Sequence, residues 1–172
     1  MILPSQYYEE NLYPLQDGVM STISKCGVRF FLTGGTALSR AYYNHRYSDD
    51  LDFFVNDVAS HFGGIVKTEL FDRTDSIRNM LSNKITALFR FAGKDVADIR
   101  EIALRTKVDW RQAIQDARQK EAGIEIPIVC DILKGIPKSE FETVVWTKKP
   151  DWEEFRSDID RIVYEMMSGE NI

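Results

Sequence analysis

Leu12, Leu15, Val19, Met20 and Ile23 recur at the spacing of one helical face, which predicts an amphipathic helix over 5–25 that Cys26 and Gly27 bring to a stop. The β-branched and aromatic run at 28–32 (VRFFL) reads as a buried strand. Thr33, Gly34 and Gly35 make a turn, and 36–43 is a short helical pattern with Thr36 as its N-cap. A polar loop at 44–49 leads to a second strand at 51–55. A loop at 56–64, ending in Gly63 and Gly64, precedes the alternating run 65–71 (IVKTELF), read as a third strand. From Asp75 the period turns helical, with Ile77, Met80, Leu81, Ile85, Leu88 and Phe89 on one face. Gly93 interrupts it. Further helices are expected over 95–105, 110–122, 126–134 and 152–167, separated in part by loops at 135–138 and 147–151. The fold class this predicts is α+β: a small mixed sheet followed by an α-helical C-terminal half. The boundary falls at 72–76, dividing a sheet region with its N-terminal helix (1–74) from a helical region (75–172) as two lobes of one domain.

Composition narrows the function. With 172 residues, 44% hydrophobic and 28% charged, the chain can build a full core without metals or disulfides. The net charge of −5 argues against a protein that coats nucleic acid through its overall field. Cys26 and Cys130 are far apart and form no CxxC, as expected of free thiols in a reducing compartment. The N-terminal residues have no secretory pattern, and no apolar run approaches the length of a membrane helix. The expectation is a cytoplasmic protein with no membrane partner.

The chemistry concentrates in FFLTGGTALSRAYYNHRYSDDLDFF, residues 30–54. Asp50 and Asp52 lie two apart in an apolar strand, so both carboxylates point to one face while Leu51 and Phe53 point to the other. Like charges at short range repel unless a cation sits between them, and hard oxygen donors suit Mg²⁺ or Mn²⁺. A lone DxD is more often the wet face of an edge strand. Here, however, Gly34 and Gly35 follow a strand and open a helix, where backbone N–H groups and the helix dipole favour a phosphate. Together the two features read as a phosphate cradle followed by a metal site.

The same stretch resembles the nucleotidyltransferase superfamily with the DNA polymerase beta-like fold, and more narrowly the AbiEii/AbiGii-type toxin nucleotidyltransferases. The motif GGTxL is Gly34-Gly35-Thr36-Ala37-Leu38, and the R-x-S-x-D-[LI]-D-h signature is Arg46-Tyr47-Ser48-Asp49-Asp50-Leu51-Asp52-Phe53. A second signature, K-[LI]-x-A-L-x-x-R followed by K-D-x-x-D, is similar to NKITALFRFAGKDVADI, with Lys84, Arg90, Lys94, Asp95 and Asp98 at the matching positions. Glu69, in IVKTELF, stands where the resemblance expects a third carboxylate that acts as general base or metal ligand. The separation of the two acidic strands by only 56–64 is shorter than in the family and implies a narrow sheet.

The resemblance implies a Mg²⁺- or Mn²⁺-dependent nucleotidyltransferase. Asp50, Asp52 and Glu69 would be catalytic and hold the metal. A nucleoside triphosphate (ATP, GTP, CTP or UTP) would lie against Gly34, Gly35, Thr36, Arg46, Ser48, Lys84, Arg90 and Lys94, with Asp98 orienting the basic residues or the substrate. It also implies the toxin of a bacterial toxin–antitoxin pair of the abortive-infection type, with a cognate antitoxin and an acceptor hydroxyl on RNA, tRNA or protein. An RNA acceptor requires Arg40, Arg46, Arg78, Lys84 and Arg90 to cluster, given the acidic net charge. Two rival readings stand beside this one. The chain could be a shortened, non-catalytic module of the same fold that binds a nucleotide or a partner, or an enzyme that transfers nucleotide to a small molecule.

Overall fold

A computed structural model describes residues 4–55 and 61–169; positions 56–60 of the loop expected at 56–64 lie outside the described residues. The first segment is helical throughout, as α1 (Pro4–Tyr7), a π turn (Tyr8–Leu12) and α2 (Tyr13–Lys25). Its buried positions are Tyr8, Gln16 and Met20, spaced at multiples of four, while Leu15 and Val19 remain exposed. The inward face is therefore rotated from the apolar stripe, because buried Gln16 has backbone partners to satisfy.

The fully buried β1 (Phe31–Thr33) runs straight into α3 (Gly34–Thr36), which continues as a π turn (Ala37–Tyr43) and stops at left-handed Asn44. The helix thus begins two residues before the expected point, with extended Thr33 ahead of its first turn. Thr36 is not its cap: the Thr36 hydroxyl donates to the carbonyl of Asp50. The acidic strand β2 (Asp52–Phe54) is antiparallel to β1, pairing Thr33 with Asp52. Asp50 precedes the strand rather than lying within it.

The third strand differs from expectation. β3 comprises only Ile65–Val66, because the chain then turns on itself. The Thr68 amide donates to Phe71 O at 3.1 Å, and the Phe71 amide returns to Thr68 Oγ1 at 3.2 Å. A strand that the sequence pattern does not announce follows, β4 (Thr74–Asp75), antiparallel to β3 and parallel to β1. The sheet among the described residues has the order β2-β1-β4-β3, small and mixed as an α+β fold requires.

The remaining helices are α4 (Ile77–Ala87) with a 3₁₀ turn (Leu88–Arg90), α5 (Gly93–Arg105), α6 (Trp110–Lys120), α7 (Ile126–Gly135), α8 (Lys138–Thr143) and α9 (Trp152–Ser168). α8 falls in a stretch to which the sequence pattern gives no helix. Asp109 and Asp151 cap α6 and α9 by accepting from the amides of Gln112 and Glu153. α4 packs on α5 and α6, and α7 on α9, around Ile85, Leu88, Ile99, Ile102, Leu133 and Ile159, all with at most 1% exposure. Each such side chain contributes about 1.5–3 kcal/mol of burial free energy.

The chain divides into two compact units, Met1–Ser76 with Val145–Lys148, and Ile77–Val144 with Lys149–Ile172. In the first unit the returning segment is tied in by a bridge between Arg46 and Trp146 and by the Tyr47 amide, which donates to Val145 O at 2.7 Å. No helix of the described residues is long and apolar enough to cross a membrane. Both cysteines are free thiols, Cys26 exposed and Cys130 buried.

Candidate active site

The glycine turn and the acidic strand form one packed cluster in the first unit. Gly34 has φ +72°, in the left-handed region that side chains rarely adopt, and a Cβ there would collide with the Asp52 carboxylate. Asp52 therefore rests against bare backbone at the start of α3. A Cβ on Gly35 would strike the Arg46 guanidinium and stand 3.0 Å from Ser48 Oγ. Each glycine admits one part of the downstream signature.

Arg46 and Ser48 are buried, and Arg46 Nη1 donates to Tyr47 O at 2.9 Å. The loop that carries the carboxylates is fixed from several sides. Gln16 Nε2 donates to Ser48 O at 3.1 Å and Asp49 O at 3.0 Å, while Thr36 holds Asp50 O. Arg40 bonds Gln16 Oε1 at 3.1 Å and Asp17 at 2.7 Å. Tyr8 donates to Asp49 Oδ1 at 2.5 Å and stacks on Tyr47 with ring centres 4.5 Å apart. Burial and the Asp49 hydrogen bond push the Tyr8 phenol well above its ordinary range, so it stays protonated as a donor. Asp49, Asp50 and Asp52 are all exposed, but Asp49 is held by the Tyr8 hydroxyl.

Among the described residues no group of three or more His, Cys, Asp or Glu side chains stands ready to hold a metal. Two exposed carboxylates next to an anion-favouring helix start nevertheless fit Mg²⁺, which is commonly held by one or two carboxylates plus substrate phosphates.

Glu69 is not beside them. It is exposed in the turn between β3 and β4. Because β4 runs parallel to β1, the turn that precedes β4 lies at the end of the sheet where β1 begins, whereas Gly34 follows the end where β1 finishes. There Glu69 lines a cavity of about 430 Å³ with Asp17, Ser21, Ser24, Arg40 and Asp72. The strand alternation of IVKTELF does not extend to it, and the triad of Asp50, Asp52 and Glu69 is not assembled.

The carboxylate that shares the Asp52 face is Asp75. Thr33 is directly opposite Asp52, and the Thr33 hydroxyl donates to Asp75 Oδ2 at 2.6 Å. His61 Nε2 lies 2.8 Å from Asp75 Oδ1, and the Tyr42 hydroxyl donates to Asp75 O at 2.7 Å. Burial and the neighbouring Asp75 push the Tyr42 phenol up to about 12. Buried Thr33 and Asp75, with half-buried His61 against Asp75, thus stand next to the exposed Asp52. Sequence reasoning passes over them, because a two-residue strand has no period and Asp75 precedes a helix as a cap would.

The second signature folds as a buried ion cluster in the second unit. Lys84 Nζ lies 2.8 Å from Asp95 Oδ1 and 2.7 Å from Asp98 Oδ2, both carboxylates being fully buried. Arg90 Nη2 lies 2.9 Å from Asp95 Oδ2. Burial disfavours the Lys84 ammonium, but Asp98 and Asp95 outweigh it and raise its pKa. Lys94 is exposed on the first turn of α5. Each of the five cations named for an RNA acceptor has a protein acceptor: Asp17 for Arg40, the Tyr47 carbonyl for Arg46, Asp116 for Arg78, and Asp95, shared by Lys84 and Arg90.

No curated protein and no solved structure matches the chain. A family model, that of the nucleotidyl transferase AbiEii toxin of type IV toxin–antitoxin systems, matches residues 20–107. That span is just over half of the chain and contains both glycines, the acidic strand, Asp75 and the Lys84 cluster. The chain belongs to the AbiEii nucleotidyltransferase toxin family.

Proposed function

We propose that this protein transfers a nucleotide from a nucleoside triphosphate to a hydroxyl of RNA, as the toxin of a pair with a cognate antitoxin. The observation that carries the reading is the packing of Asp52 onto Gly34, which joins a phosphate-binding turn to an exposed pair of carboxylates. The triphosphate lies against the backbone N–H groups at the start of α3, which lack intrahelical partners. Asp50 and Asp52 would hold Mg²⁺ or Mn²⁺, which supplies positive charge to the phosphoryl oxygens. The acceptor oxygen bonds to the α-phosphorus, pyrophosphate leaves, and the hydroxyl proton passes to solvent at this open face. Gln16, Thr36 and Tyr8 fix the loop that presents the carboxylates. Thr33 and Asp75, braced by His61, form the floor next to Asp52.

The test is transfer of radiolabel from each of the four nucleoside triphosphates to total RNA, by the wild type and by Asp52→Ala. Transfer that the variant loses, with its thermal melting unchanged, supports the reading. Loss of one electrostatic contributor costs roughly 10²–10³ in rate, and more is expected here. Nucleotide binding without transfer, equal in both proteins, would instead identify a non-catalytic module.

A further inference from the structure

The 3₁₀ turn after α4 breaks several local rules at once. Phe91 ends it with φ 54° and ψ 32°, a left-handed cap position that ordinarily takes glycine or asparagine. A bulky side chain there is a backbone outlier, and such strain persists where it serves a function. The ring is not packed into the core, since Phe91 is 55% exposed. Phe89, two residues earlier, is 43% exposed. Between them Arg90 gives one nitrogen to Asp95 and leaves its side chain 64% exposed. Lys94 is exposed in the first turn of α5, where the helix dipole disfavours a cation. Of the local carboxylates, Asp95 and Asp98 are fully buried and half-buried Glu140 accepts from the Gly93 amide at 3.1 Å, so the exposed cations of this knuckle are Arg90 and Lys94.

We propose that the knuckle formed by Phe89, Arg90, Phe91 and Lys94 is a contact for single-stranded nucleic acid. Bases stack on the two rings and phosphates meet the two cations. The inference rests on the reading above that the acceptor is RNA. Aromatic faces interleaved with cations are the chemistry that holds single strands without sequence preference, because every base has a π face. A duplex, with its bases already stacked, has no free face to offer.

The experiment is fluorescence anisotropy, without nucleotide, of a fluorescein-labelled single-stranded RNA and of the same RNA annealed to its complement. The full chain is compared with Phe91→Asn and with Tyr164→Ala, the latter removing a 51%-exposed ring on α9. Phe91→Asn suits the left-handed position, so it melts no lower than wild type while its affinity for the single strand falls roughly 5- to 150-fold per stacked base. Tyr164→Ala binds as wild type, and the duplex binds more weakly than the single strand. Unchanged affinity in Phe91→Asn, an equal loss in Tyr164→Ala, or no binding by the wild type overturns the proposal. Radiolabel transferred to protein without RNA binding would overturn this contact while leaving nucleotide transfer intact. RNA binding that depends on Phe91, with no transfer, would do the reverse.

Discussion

Replacing Gly34 with alanine asks whether the glycine turn and the acidic strand work as one device. The new methyl group meets two obstacles. Left-handed backbone costs an L residue about 1–2 kcal/mol, and the Cβ collides with the Asp52 carboxylate. The collision is with the end of a side chain that is exposed and can rotate, so the chain absorbs it by moving Asp52 rather than by unfolding. The loss of stability should stay near the backbone term, small against the roughly 5–15 kcal/mol that holds a typical domain together. Activity should suffer far more, because displacing a reacting group by about 1 Å can cost on the order of 10²-fold. The assay is radiolabel transfer to RNA for Gly34→Ala, Asp52→Ala and the double variant, with urea unfolding of each. If Gly34 acts through Asp52, the double variant transfers no less than Asp52→Ala alone. Wild-type transfer by Gly34→Ala, or losses that multiply in the double variant, would refute the coupling.

Lys84→Met should destabilise the chain by about 3–5 kcal/mol in urea unfolding, since it leaves two buried carboxylates without their shared cation; Asp98→Asn in that background should recover part of the loss. Asp116 is held below its ordinary range although burial works against it, because hydrogen bonds from Arg78 and Gln112 outweigh that burial. A lowered folded pKa means that the stability it confers is present above the unfolded value of 3.8 and is lost as pH falls through the folded one. Acid unfolding followed by circular dichroism should therefore be shallower below that pH in Asp116→Asn than in wild type.

Legibility in the sequence follows how local each interaction is. The cluster around Gly34 is readable because its members answer one another within a short stretch. Gly34 is bare for Asp52, Gly35 is bare for Arg46 and Ser48, and Thr36 reaches Asp50. Changing one position without the others breaks a contact, so the spacing itself carries the fold. Asp75 is opaque for the opposite reason: its strand exists only because β1, some forty residues earlier, offers a free edge, and nothing in Arg73-Thr74-Asp75-Ser76 records that partner. Glu69 misleads because three alternating residues look like a strand until Thr68 and Phe71 close a turn, through a backbone bond and the Thr68 hydroxyl. Lys84 is intermediate. Its place near an apolar seam is visible in the helical period, but the use of its charge is decided by α5, whose Asp95 and Asp98 read as ordinary first-turn acids until packing buries them. The acidic net charge is likewise a poor guide to nucleic-acid contact. Arg40, Arg46, Arg78, Lys84 and Arg90 all meet protein acceptors, but Arg90 stays largely exposed and, with exposed Lys94, lies close in the chain to the part-exposed rings of Phe89 and Phe91. Which cations can meet a phosphate is decided by pairing and burial, and the knuckle at Phe91 is where both leave charge and aromatic surface facing outward together.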